Sequence, residues 1–202
     1  MIGKIQHTIF FYFQWFMEAS SAILRSWEIQ PFILILFIVL GTLYTRGWWQ
    51  LRQKSVHNKL ATGWHLFAYI TALILITIAL MSPIDVLGGL LFYMHMIQHL
   101  LLTMFAAPLL MLANPLPFIL WGLPDKQRRT AARWLSQLLS KNAPFRKQLK
   151  AVTGPGVCWI IMVAFLWGWH DPDMYNSALR SEVVHNLEHI TFFLSALLYW
   201  WH

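Results

Sequence analysis

A single cysteine, Cys158, stands among 202 residues, so no intrachain disulfide is available and a disulfide-stapled scaffold is excluded. Charge is also scarce. Asp, Glu, Lys and Arg make up 11% of the chain, against about 25% in an average soluble protein. Together with 58% apolar residues and a mean hydropathy of +0.53, this excludes both an ordinary soluble domain and intrinsic disorder. A chain this apolar must bury its surface or give it to lipid. Sustained period-2 alternation is missing as well, which argues against an outer-membrane barrel. Acidic residues are few, eight against fifteen basic, giving a formal net charge of +7. The basic residues fall in loops between long apolar runs, so the charge reads as membrane topology and no nucleic-acid partner is expected.

Aromatics and long apolar runs are what the chain has in abundance. Twelve Trp, fourteen Phe and six Tyr are a load typical of water–lipid boundaries. Five stretches approach the about 20 apolar residues a transmembrane helix needs: about Ile29 to Tyr44, Gly63 to Met81, about Leu87 to Ala113, Pro155 to His170, and Glu182 to His202. The expected fold is an all-α, polytopic transmembrane bundle over residues 29–202. Twelve of the fifteen basic residues lie in the loops after the first and third spans, from Arg46 to Lys59 and from Lys126 to Lys150. The positive-inside rule puts those loops in the cytoplasm and the N-terminus outside. Seven of the eight acidic residues fall on the outer side. Trp48, Trp49, Trp64, Trp167, Trp169, Trp200 and Trp201 are expected as interfacial anchors.

Residues 1–28 read as an outer segment, with an amphipathic helix along the interface over 5–24 or a short extra span. Residues 114–154 read as a basic cytoplasmic loop, with a lipid-held surface helix over 125–140. Pro108 lies inside the third span, where it removes a ladder hydrogen bond and is expected to bend the helix.

The ionisable groups inside the spans are nearly all histidines, and such groups usually face an interior site. His95-Met96-Ile97-Gln98-His99 sets two imidazoles on one face of span three, and His185-Asn186-Leu187-Glu188-His189 repeats that spacing on span five. Two rings four residues apart can address one ion. His170 adds a fifth ring at the end of span four. At about 1.5 Å per residue, His95 and His99 lie about 10 and 16 Å inward of Gly88, and His185 and His189 about 5 and 10 Å inward of Glu182. All five belong to the outer half of the bilayer, and they converge if spans three, four and five pack together. His7, His57 and His65 are read as unrelated to this cluster.

Imidazole accepts copper, zinc, iron and nickel. Met94, Met96 and Met104 lie near the first pair, and thioethers favour Cu(I), although methionines in an apolar helix are usually packing residues. Bis-histidine haem is the main alternative, with room for two stacked haems or for one haem and an unused pair. A third reading is a scaffold whose polar cluster only fixes helix packing. His185-x-x-Glu188-His189 also matches the H-x-x-E-H pattern of a zinc-peptidase class. No large soluble domain accompanies it to hold a peptide, so an enzyme is not expected. Glu188 is expected to orient a histidine ring from behind, or to accept its proton.

Ser82-Pro83-Ile84-Asp85, then His95-Met96-Ile97-Gln98-His99-Leu100-Leu101-Leu102, then Ala107-Pro108-Leu109 resemble the core signature of the multi-helix CtaG family. Trp169-His170-Asp171-Pro172 with Met174, Tyr175 and Ala178 resembles its next motif, and His185-Asn186-Leu187-Glu188-His189 with Thr191-Phe192-Phe193 and Trp200-Trp201 its third. The resemblance covers roughly residues 63–202. It implies a non-catalytic, multi-pass factor of the bacterial cytoplasmic membrane that helps assemble a caa-type cytochrome c oxidase. The implied cargo is copper and the implied partners are oxidase subunits and membrane lipid; self-association is left open. On this reading His95, His99, His185 and His189 are ligands, His170 is a gate or fifth ligand, and Asp85 and Asp171 sit at the mouth to attract a cation. Family members usually continue into further spans, whereas these residues end within the fifth. The resemblance thus implies a shortened member or further helices beyond them.

Overall fold

The computed structural model describes residues 17, 18, 20–23, 25–54, 61–138, 140 and 144–202, and every regular element among them is helical. The N-terminal segment before residue 17, with His7, and the stretch 55–60, with His57, lie outside the described residues. In chain order the helices are α1 (Pro31–Lys54), α2 (Gly63–Met81), α3 (Pro83–Gly88), α4 (Phe92–Ala113), α5 (Pro115–Gly122), α6 (Asp125–Leu138), α7 (Pro144–Val152), α8 (Pro155–Trp169), α9 (Pro172–Arg180) and α10 (Glu182–Trp200).

Three of these, α1, α2 and α4, are long and apolar enough to cross a membrane. Helix α8 is apolar but has 15 residues, about 23 Å at 1.5 Å per residue, against a hydrocarbon core of about 30 Å. Helix α10 has 19 residues, but its first half carries Glu182, His185, Asn186, Glu188 and His189. The fourth and fifth expected spans are therefore helices, shorter or more polar than the first three.

The boundaries differ from the sequence reading in two places that matter for the site. The first helix does not stop near Tyr44 but runs to Lys54, because no proline or glycine pair interrupts Thr45–Lys54 and its basic residues can occupy an exposed last turn. The third span is broken. Ser82, with its side chain accepting from the Ile84 amide, caps the short α3, and Pro83 opens it. The chain then passes through Gly89 and Leu90 before α4 starts at Phe92.

Within α4, residues Leu101–Ala106 form a π-helical turn immediately before Pro108. The Ala107 amide bonds to Leu102 O, five residues back, instead of to Thr103 O. Proline at 108 has no amide to offer Thr103 O in that register either. The stranded carbonyl accepts from the Trp200 indole at 2.9 Å, which ties α4 to the far end of α10. Pro108 thus acts through a π turn and an interhelical hydrogen bond.

The end of the molecule opposite α3 is closed by α5, which packs along α1 inside the segment read as a basic loop. A Cβ on Gly47 would lie 1.7 Å from Phe118 O, and one on Gly122 1.9 Å from Leu43 O. Only glycine permits that backbone approach. Tyr44 stacks on Tyr69 at 3.7 Å, and its hydroxyl lies 2.9 Å from the carbonyls of both His65 and Ala113. Trp48 is buried here and donates to Thr62 O, so it packs inside the protein instead of anchoring at the interface. His65 is engaged by Thr62 and belongs to this end.

Between the two ends, alanines 79, 106, 107 and 196 are fully buried and let α2, α4, α8 and α10 approach closely, as in membrane helix packing. Phe32, Ile35, Ile38, Ile74, Leu100, Phe105, Ile160, Ile190 and Leu194 point outward, as lipid-facing side chains do. Helix α6 has no buried residue and exposes Trp134, in keeping with a surface helix.

Candidate metal centre

With α4 starting at Phe92, its histidines lie close to the start of their helix. His95 now stands three residues inside α4, as His185 stands three residues inside α10, and His99 and His189 each lie one turn deeper. The two helices start from the same side and run together, so the pairs sit level. The rings confirm it. Centroids are 5.5 Å apart for His95 and His185, 5.2 Å for His99 and His189, and 4.3 Å within each helix's own pair.

Glu188 lies at the centre of this group, not behind it. Its side chain is 2% exposed, and its Oε1 is 3.4 Å from His95 Nε2 and 3.2 Å from His99 Nε2. Those two nitrogens are themselves 2.8 Å apart. Between them, two neutral imidazoles and a carboxylate at these distances cannot satisfy every lone pair with a proton. Donor atoms bound to one ion at about 2.0–2.1 Å would be about 2.9 Å apart at right angles and about 3.4 Å apart at the tetrahedral angle. His185 joins as well: it, His95 and Glu188 offer ligand atoms within 4.8 Å of one another.

Five buried side-chain atoms around this point have no hydrogen-bond partner: His95 Nδ1, His99 Nδ1, His189 Nε2, Glu188 Oε2 and Gln98 Oε1. Buried polar atoms are normally paired, and each exception calls for a physical reason. Four of these atoms belong to imidazoles and the carboxylate and one to the Gln98 amide; the atoms that converge as a cation's donors would are His95 Nε2, His99 Nε2 and Glu188 Oε1. The donor set is nitrogen and oxygen, which suits copper(II), zinc and similar borderline ions.

Gln98 is the residue the sequence reading passed over. It is fully buried, and its amide donates to Ala79 O at 2.9 Å and to Asp85 Oδ1 at 2.5 Å. It thereby joins the end of α2 and helix α3 to the histidine face of α4. Gly88 makes room, since a Cβ there would stand 3.1 Å from Gln98 Oε1. The signal was present. Both pentads read His-x-x-(Gln or Glu)-His, and positions i, i+3 and i+4 share one helical face. Tyr175, from α9, closes the group edge-on, 5.5 Å from His95.

Asp85 is half-buried beside this network. Burial pushes its carboxyl above the ordinary carboxylate range, and the Gln98 amide and the His185 imidazole pull it partly back. The remaining expected site residues stand apart. His170 is exposed, with Nδ1 2.6 Å from Leu166 O; Phe192 touches both its ring, at 6.2 Å, and that of His99, at 4.6 Å. Asp171 caps α9 through the Asp173 amide. Met94 and Met96 are half-buried on α4 and Met104 is exposed. Trp169 donates to Thr191 Oγ1, which in turn donates to Glu188 O, so α8 steadies the central turn of α10.

A family model described as cytochrome c oxidase caa3 assembly factor (Caa3_CtaG) matches residues 42–202. The chain is also similar to uncharacterized proteins of Mycobacterium bovis and Mycobacterium tuberculosis, each 26% identical over 185 residues, and to one of Mycobacterium leprae, 24% identical over 178 residues. These matches take in 90%, 90% and 87% of this chain, but 27%, 27% and 26% of the relatives, so the chain spans about a quarter of their length. No solved structure matches it.

Proposed function

The chain belongs to the cytochrome c oxidase caa3 assembly factor family, and on that premise we propose that it is a membrane-embedded, non-catalytic factor that binds copper as cargo for an oxidase under assembly. The ligands on this reading are His95, His99 and Glu188, with His185 and His189 completing or relaying the site. The observation that carries it is the convergence of His95 Nε2, His99 Nε2 and Glu188 Oε1 within 2.8–3.4 Å of one another, with His185 and His189 beside them. The protein holds the ion with nitrogen and oxygen donors from two parallel helices and passes it to an oxidase subunit; no covalent chemistry is required.

The proposal includes the membrane arrangement. Five helices cross the bilayer, with the N-terminus outside, α6 and α7 on the cytoplasmic leaflet held by anionic lipid, and the histidine site in the outer half. The distribution of Lys and Arg supports this orientation.

The rival readings fit the geometry less well. A haem macrocycle needs a flat slot between axial rings from two helices, whereas His95 and His185 stack ring on ring at 5.5 Å and His99 and His189 stand 5.2 Å apart. A zinc-peptidase glutamate needs to face a bound water and an accessible peptide, whereas Glu188 is enclosed by His95 and His99. The test is oxidase assembly in cells carrying His95→Ala with His189→Ala, or Glu188→Gln alone. Copper loading and oxidase activity are expected to fall at least about tenfold, while the variant remains in the membrane at normal levels. Full oxidase activity with either variant would overturn the proposal.

A further inference from the structure

Beyond the ligand cluster, the structure bears on how a cation reaches it. Asp85 and His185 line a cleft of ≈ 340 Å³, together with Glu28, Arg180, Glu182 and Asn186. A second cleft of ≈ 290 Å³ shares Gln30, Asp85 and Asn186 with the first and reaches His189. A cation with six first-shell waters needs about 180 Å³, at about 30 Å³ per water, and each cleft exceeds that volume.

We propose that Glu28, Asp85 and Glu182 form an electrostatic vestibule that draws a hydrated divalent cation to His185 and His189. This rests on the metal-site reading above and adds the access route. Three carboxylates face one guanidinium in the first cleft. Each carboxylate is held there by the fold. The Glu28 amide bonds to Met81 O at the end of α2. Glu182 opens α10 one turn before His185. Asp85 occupies the position from which an acidic side chain commonly reaches back to its helix's cap amide. Here the Ser82 amide bonds instead to Ile78 O, and Asp85 turns to Gln98.

An acidic mouth alone would be a solvated surface feature. What makes this one lead somewhere is His189. It lines the inner wall of the second cleft, is 5% exposed, and has Nε2 buried without a partner. Gln98 Oε1, buried and also unpartnered, belongs to the side chain that holds Asp85. From the mouth, the rings of His185, His189, His95 and His99 follow at centroid spacings of 4.3–6.2 Å, an unbroken row of imidazoles leading to Glu188. The His170 side has a cleft of its own, ≈ 500 Å³, lined by Leu166, Trp167, His170, Asp171 and Pro172, but none of the four clustered imidazoles lines it. Asp171 is used as a cap, and the buried Phe192 ring lies against both His99 and His170.

The experiment is stopped-flow uptake of Cu²⁺ by the full chain in detergent, at several ionic strengths. Glu28→Gln with Glu182→Gln is the main variant. Both residues are exposed, so folding is not at issue, and Glu28→Lys with Glu182→Lys strengthens the contrast. The association rate at low salt is expected to fall about tenfold, with a flatter salt dependence and unchanged stoichiometry at saturation. Asp171→Asn is expected to bind at the unmodified rate. Unchanged rates in the Glu28 and Glu182 variants with full stoichiometry would overturn the vestibule and leave the metal site standing. An equal slowing by Asp171→Asn would also overturn it, by showing a general surface field. Absence of Cu²⁺ binding by the unmodified chain would overturn the metal-site reading and the vestibule with it.

Discussion

Glu188 Oε1 lies within 3.4 Å of nitrogens on two imidazoles that belong to another helix, yet Glu188 Oε2 has no partner. A carboxylate placed only to fix packing would have both oxygens satisfied. Glu188→Gln keeps the shape and removes the charge. The metal-free variant is expected to unfold within a few degrees of the unmodified chain, while Cu²⁺ affinity, measured by calorimetry, falls about 10- to 100-fold. A large loss of metal-free stability with affinity unchanged would favour a packing role. Asp85 gives a pH signature. Its folded carboxyl binds its proton more tightly than the unfolded one, so between the two values the folded state holds more protons and stability falls as pH rises. That decline begins near the ordinary carboxylate value of about 4. Asp85→Asn keeps an acceptor for Gln98 and is expected to flatten this slope in metal-free thermal unfolding; an unchanged slope would count against the assignment. The histidine pairs were legible in the sequence because i, i+4 spacing guarantees a common face. The centrality of Glu188 was not, since spacing places it on the histidine face without showing that α4 brings its own two rings to the same carboxylate.

The elements explain why the alignment of the two histidine pairs was not legible. Reading Leu87–Ala113 as one helix puts His95 about 10 Å inside, but Ser82, Pro83 and Gly89 cut α3 away and restart the helix at Phe92. The four histidines meet because α4 and α10 begin level, a property of the break and invisible to a hydropathy window. The π turn was equally hidden. Pro108 announces a lost hydrogen bond, but its compensation comes from Trp200, which is 97 residues away from the carbonyl it serves. Trp200→Phe leaves Thr103 O without that donor and is expected to cost about 1–3 kcal/mol, read as a lower midpoint in detergent unfolding. Retention of full stability would mean the π turn does not depend on this bond. At the other end, Gly47→Ala forces α1 and α5 apart and is expected to cost about 1–3 kcal/mol or more. Cu²⁺ stoichiometry is expected to stay unchanged, because this crossing lies at the end of α1 away from the site.

On the scale of the whole molecule, the two ends are built differently. The end closed by α5 is aromatic and glycine-packed, with its hydrogen bonds satisfied by Tyr44 and Trp48. The end bearing α3 and α9 gathers the imidazoles, the carboxylates and the unpartnered donors. One end thus holds the bundle together, and the other leaves donor atoms unfilled inside it. Apolar runs and basic loops made the membrane class readable from composition alone, since neither depends on tertiary contacts. Which polar residues share one interior depends on helix starts and crossings, and those emerged only with the fold. The most direct test of the central claim is the metal content of detergent-purified chain after copper loading and removal of loosely bound ions. The account predicts about one tightly held ion per chain, lost when His95→Ala and His189→Ala are combined. Equal copper in the unmodified and doubly substituted chains, or none in either, would contradict it.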